Sequence, residues 1–275
     1  MTNGTGFDNM QEPTERDPAK RRRGIYLLPN LFTTAGLFAG FYAIVAAIGD
    51  RYEAAAIAIF IAMVMDGLDG RVARMTNTQS DFGKEYDSLV DMVAFGLAPA
   101  LVVYEWALQP LGKLGWLAAF IYAAATALRL ARFNTQSSAD KRYFQGLASP
   151  AAAALIAGMV WAAEVSGVTG ADLPYIALII TVIAGVLMVS NVLYRSFKDI
   201  DFRGKVPFFT VVVIMLVFVL ISMNPAYVLL IVFVTYAASG PALSVRHLVI
   251  KKKQRPISES GEDIKDEDKK EEDKP

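Results

Sequence analysis

Four aspartates are the residues in this chain whose type and spacing point most directly to chemistry. Asp66 and Asp69 stand three residues apart near the end of one apolar segment, and Asp87 and Asp91 stand four apart near the start of the next. Residues three or four apart lie on the same face of a helix, and charged side chains are costly in hydrocarbon. We therefore expect each pair to present two carboxylates on one helix face for a functional purpose.

The two aspartate pairs should meet at the same depth in a membrane. At ~1.5 Å of helix rise per residue, Asp66 and Asp69 lie roughly 21 and 25 Å from the outer surface of a layer ~30 Å thick. Counted in the same way from the cytoplasmic surface, Asp87 and Asp91 lie roughly 7 and 13 Å deep. All four carboxylates then fall in the cytoplasmic half, where they can converge.

Convergent carboxylates repel one another, and some would have to take up protons. Divalent cations remove that conflict, and ligation by oxygen alone suits Mg²⁺ or Mn²⁺. Two such ions close together form a clamp for displacement at phosphorus. The aspartates therefore predict a site for two divalent cations, Mg²⁺ or Mn²⁺, that acts on phosphate groups.

Small residues and one arginine near the aspartates favour phosphate binding. Gly67 and Gly70 interleave the first pair, and Gly83 lies one turn before the second. Their bare backbone lets a diphosphate, or a neighbouring helix, approach closely. Arg74 supplies a fixed cation at the cytoplasmic mouth. Two other interpretations of the aspartates stay open, namely a buried ion-pair network between helices and a cation or proton path in a transporter.

Composition narrows the chemistry and indicates a membrane protein. The 275 residues include no cysteine and a single histidine, His247. Thiolate chemistry is therefore excluded, and acid–base chemistry must rest on carboxylates. Hydrophobic residues make up 54% of the chain and the mean hydropathy is +0.37. The apolar residues come in long runs, which are typical of membrane spans.

The elements that must position the aspartates are eight apolar segments. Each is long enough to cross ~30 Å of hydrocarbon as a helix, and a membrane leaves no place for unpaired backbone. The segments cover residues 25–48, 54–72, 86–108, 115–133, 148–165, 172–193, 206–222 and 225–242. We therefore predict an all-α integral membrane protein, a bundle of about eight transmembrane helices.

Basic residues predict the orientation of this bundle. Of the 27 Lys and Arg residues, all but Arg51 and Lys113 fall in the terminal arms or in and beside the loops after the second, fourth and sixth segments. Cytoplasmic segments are enriched in Lys and Arg. Both termini, and with them the aspartate site, should therefore face the cytoplasm.

Three regions follow one another along the chain. Residues 1–24 are a polar and basic cytoplasmic arm. Residues 25–246 are a transmembrane catalytic domain, with a core at about 25–193 and extra helices at 206–242. Residues 247–275 are a cytoplasmic tail, first basic and then acidic, which we expect to be disordered because it has few apolar residues.

The aspartate segment resembles the CDP-alcohol phosphotransferase signature. The likeness lies in the stretch Asp66-Gly67-Leu68-Asp69-Gly70-Arg71-Val72-Ala73-Arg74 and in Gly83, Asp87 and Asp91, which follow it. Members of that family are helical membrane enzymes that cleave a CDP-linked lipid, release CMP and join the phosphatidyl group to an alcohol. The resemblance implies Asp91 as the base for the incoming hydroxyl. It also implies that the ligands of two metal ions are Asp66, Asp69, Asp87 and Asp91.

A second set of residues is predicted to bind the CDP-linked lipid, from this resemblance and from the bare backbone of the glycines. The set is Asn30, Thr33, Gly67, Gly70, Arg74, Ser80 and Gly83. Asn30 and Thr33 look like the nucleotide-side element that the family carries at the start of its first helix. Pro29 before them is also typical of an ordinary helix start, which is the alternative.

Three further stretches resemble the phosphatidylserine synthase branch of the family. They are residues 87–100, 128–134 and 144–150, where Ala148 stands in place of the proline that the branch often shows. The resemblance implies L-serine as the acceptor alcohol.

Four polar residues at the fourth and fifth segments fit an amino-acid acceptor. Arg129 and Arg132 could pair in bidentate fashion with the serine carboxylate. Asn134 and Ser149 could bind its amino group or its hydroxyl. The alternatives are anchoring of the bundle by the arginines at the cytoplasmic interface and, for the other two, ordinary polar helix ends.

The leading hypothesis is therefore transfer of the phosphatidyl group from CDP-diacylglycerol to the hydroxyl of L-serine, giving phosphatidylserine and CMP. Asp91 would deprotonate the hydroxyl. The alternatives are the same chemistry with choline, inositol or glycerol phosphate, and a cation-coupled transporter. The resemblance also implies a homodimer. We expect a multi-pass protein of the cell (inner or plasma) membrane, with no nucleic acid among its partners.

Overall fold

The structure, a computed structural model, describes residues 18–135, 143–195 and 208–254. The regular secondary structure of this part of the chain is helical except for one pair of short strands. In chain order the α-helices are α1 (Pro18–Ile48), α2 (Tyr52–Met75), α3 (Asp81–Asp91), α4 (Ala98–Val103), α5 (Lys113–Thr135), α6 (Ser149–Val165), α7 (Pro174–Val189), α8 (Phe208–Met223) and α9 (Pro225–Gln254). The strands are β1 (Tyr143–Gln145) and β2 (Leu193–Arg195).

Several of these helices have the length and composition of membrane spans. Four stretches are long and apolar enough to cross a membrane: Leu28–Ile48, Asp81–Leu111, Lys113–Thr135 and Pro225–Ser244. The helices α6 and α7 are apolar but shorter. The prediction of a helical protein with membrane-crossing helices is confirmed in these terms.

The stretch Asp81–Leu111 is continuous but changes its winding. Between and after α3 and α4, residues Met92–Leu97 and Tyr104–Leu108 are π-helical and Gln109–Leu111 is a 3₁₀ turn. The first π segment begins directly after Asp91, so the winding changes at the end of the helix that carries two of the aspartates. Single-turn π segments are commonly found at functional sites.

A proline and a tyrosine explain how this irregular backbone is tolerated. Pro99 has no N–H, so the carbonyl of Phe95, four residues earlier, loses its α-helical donor. The hydroxyl of Tyr122 in α5, which is fully buried, donates to that carbonyl at 3.1 Å. The freed carbonyl is therefore satisfied by a side chain of another helix.

The strand pair was not predicted, but with three residues in each strand it leaves the all-α class unchanged. β1 and β2 are antiparallel, with Phe144 opposite Tyr194. The next residue after β1, Gly146, has φ +79, and a Cβ there would lie 2.2 Å from the Met188 carbonyl oxygen, so only glycine fits. Hydropathy alone extended the sixth segment to residue 193, whereas α7 ends at Val189 because the chain must turn to form β2.

Two helix ends also differ from the sequence prediction. α1 begins at Pro18, inside the predicted arm, as suits a proline at the first position of a helix. α9 continues to Gln254, so residues 247–254 are helical, which corrects the predicted disorder from 247 onwards. Basic residues are favourable in the last turns of a helix, and the sequence has no proline between Pro241 and Pro256 to stop it. The arm at 1–17 and the tail at 255–275 lie outside the described residues.

The core of the bundle is built from small side chains. α6 is its central helix, with 13 of its 17 residues buried, including the run Ala151–Ala154. Small residues let membrane helices approach closely. At Gly158, for example, a Cβ would lie 3.3 Å from the Cα of Leu230 in α9. The large apolar side chains of α1, α7 and α8 are instead mostly exposed on the outer surface, where lipid would contact them.

Candidate active site

The site begins on the open face of α2. Gly67 and Gly70 share this part of the helix with Asp66 and Asp69, and nothing lies within 4 Å of the position that a Cβ would occupy at either glycine. No described neighbouring helix therefore needs these glycines for close packing. The bare backbone beside the two aspartates is open to a ligand instead.

Three of the four aspartates meet across α2 and α3. Carboxylate oxygens of Asp66, Asp69 and Asp87 lie within 4.8 Å of one another. Asp91, one turn further along α3, is not part of this compact group, but its carboxyl group interacts directly with that of Asp66. The structure thus brings the two predicted pairs together, with Asp91 at the edge of the group.

The first helix contributes to the same place through Thr33. Its buried hydroxyl donates to Oδ2 of Asp69 at 2.7 Å. We predicted Thr33 on the nucleotide side, and the structure places it against an aspartate. A hydrogen bond of this kind fixes the orientation of a carboxylate that could bind a metal.

The other predicted lipid-binding residues lie around the turn between α2 and α3. Ser80 caps α3, because its hydroxyl accepts a hydrogen bond from the Gly83 amide at 3.0 Å. The amide oxygen of Asn30 lies 3.7 Å from where a Cβ would stand at Gly83. Arg74 is exposed, and its Nε donates to the Gly70 carbonyl at 2.8 Å. Asn30, Ser80 and Gly83 therefore form one group, and Arg74 lies on the glycine face of α2.

One cleft lies between α1, α2, α3 and the π-helical segment that follows α3. It is lined by Thr33, Gly36, Ala62, Asp66, Asp69, Asp87, Val90, Asp91, Ala94 and Phe95. All four aspartates therefore face a single space, and the rest of its wall is mainly apolar.

The four aspartates form no close ion pair with a basic side chain among the described residues. Within the described ranges the one ion pair shorter than 4.0 Å joins Lys84 to Asp81 at the surface, and it involves none of the four. A donor set made only of carboxylate oxygens is the type that Mg²⁺ and Mn²⁺ prefer. The residues present therefore fit divalent cations.

The predicted acceptor residues divide into two groups. Nη1 of Arg129, in α5, donates to the hydroxyl of Ser149 at 2.8 Å, and Ser149 is fully buried at the start of α6. Arg129 also interacts electrostatically with Asp91. Asn134 lies apart, because its Nδ2 donates to the hydroxyl of Ser88 in α3 at 3.1 Å.

The two arginines keep unused donors. Nε of Arg129 and Nη1 of Arg132 are buried, and neither has a hydrogen-bond partner in the part of the chain that the structure describes. Buried donors are normally satisfied, and each one left alone is costly. An anionic group such as a carboxylate is the type of acceptor that guanidinium donors prefer.

Sequence reasoning missed two residues near these groups. Ser88 follows Asp87 directly and holds Asn134, and Tyr236 in α9 interacts electrostatically with Arg129. Ser88 stood within a stretch chosen for its aspartates, and Tyr236 lies on an apolar helix without a motif. In each case a polar side chain on an apolar segment was the available signal.

Comparison with known proteins agrees with this geometry. Residues 26–187 match the family model for CDP-alcohol phosphatidyltransferases. The chain is 38% identical over 196 residues to the CDP-diacylglycerol–serine O-phosphatidyltransferase of Helicobacter pylori strain 26695, covering 71% of this chain and 83% of that protein. It is 38% identical over 153 residues to the enzyme of the same name from Mycobacterium leprae, covering 54% of this chain and 51% of that protein. With the one from Methanocaldococcus jannaschii it shares 35% identity over 141 residues, covering 51% and 63%.

Proposed function

Because the chain belongs to the CDP-alcohol phosphatidyltransferase family, we propose that it transfers the phosphatidyl group of CDP-diacylglycerol to the hydroxyl of L-serine. The products are phosphatidylserine and CMP. The observation that carries this proposal is the position of Asp91. Its carboxyl group interacts with that of Asp66, one of the three clustered aspartates, and with the guanidinium of Arg129. A base placed between a phosphate site and a carboxylate site suits an amino-acid alcohol as acceptor.

The reaction needs one proton acceptor and one leaving group. The Asp91 carboxylate takes the proton of the serine hydroxyl, whose oxygen forms a bond to the lipid-linked phosphorus. The bond from that phosphorus to the CMP oxygen breaks, and CMP leaves with the electron pair. The unused N–H groups of Arg129 and Arg132 hold the serine carboxylate and aim its hydroxyl at Asp91. The Arg129 contact with Ser149 fixes the guanidinium during this step.

Two divalent cations, Mg²⁺ or Mn²⁺, would be held by Asp66, Asp69, Asp87 and Asp91. When bound, they neutralise the diphosphate and stabilise the CMP leaving group. Thr33 orients Asp69 for this task through its hydrogen bond.

The CDP-linked lipid lies on the open face of α2 and at the turn that follows it. The unobstructed backbone at Gly67 and Gly70 supports this placement. Arg74 provides a cation for phosphate oxygens, and the remaining contacts come from the group formed by Asn30, Ser80 and Gly83.

We extend the proposal to topology and location. The chain crosses the cell membrane eight times, with both termini and the active site on the cytoplasmic side, and it forms a homodimer. The distribution of Lys and Arg supports this orientation. The catalytic domain occupies residues 25–246, with the arm at 1–24 and the acidic end of the tail beyond it. Serine then enters from the cytoplasm and the lipid from the bilayer.

The test is CMP release by purified protein. CDP-diacylglycerol in mixed micelles is supplied with Mg²⁺ or Mn²⁺ and with L-serine, choline, inositol or glycerol 3-phosphate in separate reactions. We expect CMP and phosphatidylserine in equal amounts with serine alone. Release of CMP with another acceptor and none with serine would refute L-serine as the acceptor. No release with any of them would refute the proposed phosphatidyltransferase activity.

A further inference from the structure

Helix α9 lies beyond the residues that match the family, yet it packs against the acceptor residues. The family match ends at 187, and α9 begins at Pro225. Gly158 of α6 lies against Leu230 of α9. The hydroxyl of Tyr227 contacts that of Ser166 near the far end of α6, so the two helices run in opposite directions.

This packing sets the position of Tyr236 along the long axis of the helix bundle. From the contact between Gly158 and Leu230, Ser149 lies nine residues back along α6, or about 13 Å, and Tyr236 lies six residues onward along α9, or about 9 Å. Both displacements lead towards the same end of the bundle. Tyr236 therefore lies close to the level of Ser149, which binds Arg129.

The side chain of Tyr236 faces the contact between Arg129 and Ser149. It is half-buried, and it interacts electrostatically with the Arg129 guanidinium. Arg129 is thus engaged by Ser149 through Nη1, by Tyr236 and by the charge of Asp91. Its buried Nε is the donor that stays without a partner among the described residues.

A second tyrosine fixes α9 at this level. Pro241 has no N–H, so the Ala237 carbonyl, four residues earlier, loses its helical donor. Tyr194 of β2, which is fully buried, donates its hydroxyl to that carbonyl at 3.0 Å. Its ring lies over Gly240, where a Cβ would be 2.4 Å from the Tyr194 Cζ, and 5.5 Å from the ring of Tyr236. The position of Tyr236 is therefore set by contacts on both sides of it.

We infer that Tyr236 is a positioning residue of the acceptor site, which orients the Arg129 guanidinium so that its Nε–H faces the carboxylate of the incoming amino acid. The inference rests on the proposed function, because it needs an acceptor that carries a carboxylate. An arginine stem has many rotamers, and a guanidinium already held in place loses less freedom when it binds. The last helix then acts on acceptor affinity and not on the chemical step.

The first experiment removes the hydroxyl group of Tyr236. Tyr236→Phe keeps the ring that packs on Tyr194, so we expect folded protein. The serine KM should rise about 3- to 10-fold, as for loss of one hydrogen-bonding partner. kcat and the KM for CDP-diacylglycerol should stay within about twofold of wild type. The matched control is Tyr227→Phe, which removes a hydroxyl at the other end of the same helix and should leave all three constants unchanged.

A second experiment tests that Tyr236 acts through Arg129. In an Arg129→Lys background, Tyr236→Phe should raise the serine KM no further, because the two residues share one task. Tyr194→Phe, which frees α9 at Ala237, should give a smaller rise in the serine KM with the lipid KM unchanged.

The outcomes separate the two proposals. Wild-type protein that releases no CMP with serine refutes the proposed function and this inference with it. An active wild type whose serine KM is unchanged in Tyr236→Phe refutes the inference alone. So does a variant in which kcat and both KM values change together, or one whose effect multiplies with that of Arg129→Lys.

Discussion

The hydroxyl of Thr33 in α1 donates a hydrogen bond to Oδ2 of Asp69 in α2, at 2.7 Å, and both side chains are buried. This contact fixes the orientation of the Asp69 carboxylate, which lies within 4.8 Å of those of Asp66 and Asp87. α1 therefore belongs to the site, although it supplies no carboxylate. The partner of a metal-binding side chain commonly matters nearly as much as the side chain itself.

Thr33→Val should weaken cation binding. Valine keeps the shape and removes the donor, and loss of such an outer partner typically costs about 10- to 100-fold in metal affinity or activity. We expect the Mg²⁺ concentration for half-maximal activity to rise by that order. The control is Thr34→Val, whose hydroxyl donates to the Asn30 carbonyl. An equal shift in both variants would contradict the role of the Asp69 contact.

Asp91→Asn should abolish turnover and leave a folded protein that binds CDP-diacylglycerol. The amide keeps the shape of the side chain but can neither take a proton nor serve as an anionic ligand. Loss of a general base typically costs ~10²-fold or more. Asp81→Asn, which removes the surface partner of Lys84, is the matched control and should keep its activity. Retention of more than about a tenth of the wild-type rate in Asp91→Asn would argue against Asp91 as the base.

Activity should depend on a divalent cation. The clustered carboxylates have no basic partner within 4.0 Å among the described residues, and they cannot neutralise a diphosphate by themselves. Chelation should abolish CMP release, and Mg²⁺ or Mn²⁺ should restore it. Metal analysis of Mn²⁺-loaded protein should find about two ions per chain, and fewer in Asp69→Asn. Full activity in metal-free protein would refute this mechanism.

Arg129→Lys and Arg132→Lys should each raise the serine KM and leave the KM for CDP-diacylglycerol nearly unchanged. Lysine keeps the charge but loses the planar fork. Loss of one charge-assisted contact costs ~1.5–3 kcal/mol, or roughly 10- to 150-fold in affinity. We expect the larger effect at Arg129, which also engages Ser149 and Asp91. Serine KM values that stay within about twofold of wild type would make both arginines anchors at the membrane interface.

Tyr122→Phe should lower the stability of the bundle. Without the hydroxyl, the carbonyl of Phe95 loses the hydrogen bond that compensates for the missing Pro99 N–H. A buried acceptor left in this way costs ~1–3 kcal/mol of unfolding free energy. Denaturation in detergent measures the loss, and Tyr175→Phe, at a tyrosine that is 68% exposed, is the control. Equal stability of the two variants would show that Phe95 finds another donor.

Much of the helical framework could be predicted because the signal is local. Apolar runs long enough to span hydrocarbon predict where the helices lie. Counting residues from the helix ends predicts overlapping depths for Asp66 and Asp87. Which aspartates form the compact group could not be read in this way. It depends on the rotation of α2 against α3, and that rotation places Asp91 at the edge of the group.

The features that sequence reasoning missed join distant parts of the chain. Tyr122 and Phe95 are 27 residues apart, and Tyr194 and Ala237 are 43 apart. The pairing of β1 with β2 joins loops on either side of α6 and α7. Periodicity reports which face of one segment is apolar, but it contains no information about which distant donor meets which acceptor.

The two proline-freed carbonyls have a consequence for biogenesis. In hydrocarbon, a carbonyl without a donor costs several kcal/mol, so each kinked segment is poorly suited to lipid until its tyrosine arrives. For Phe95 the donor, Tyr122, is synthesised later than the acceptor, and for Ala237 the donor, Tyr194, is synthesised earlier. The carbonyl of Phe95 therefore gains its donor only after α5 is made, whereas the donor for the Ala237 carbonyl is made before α9.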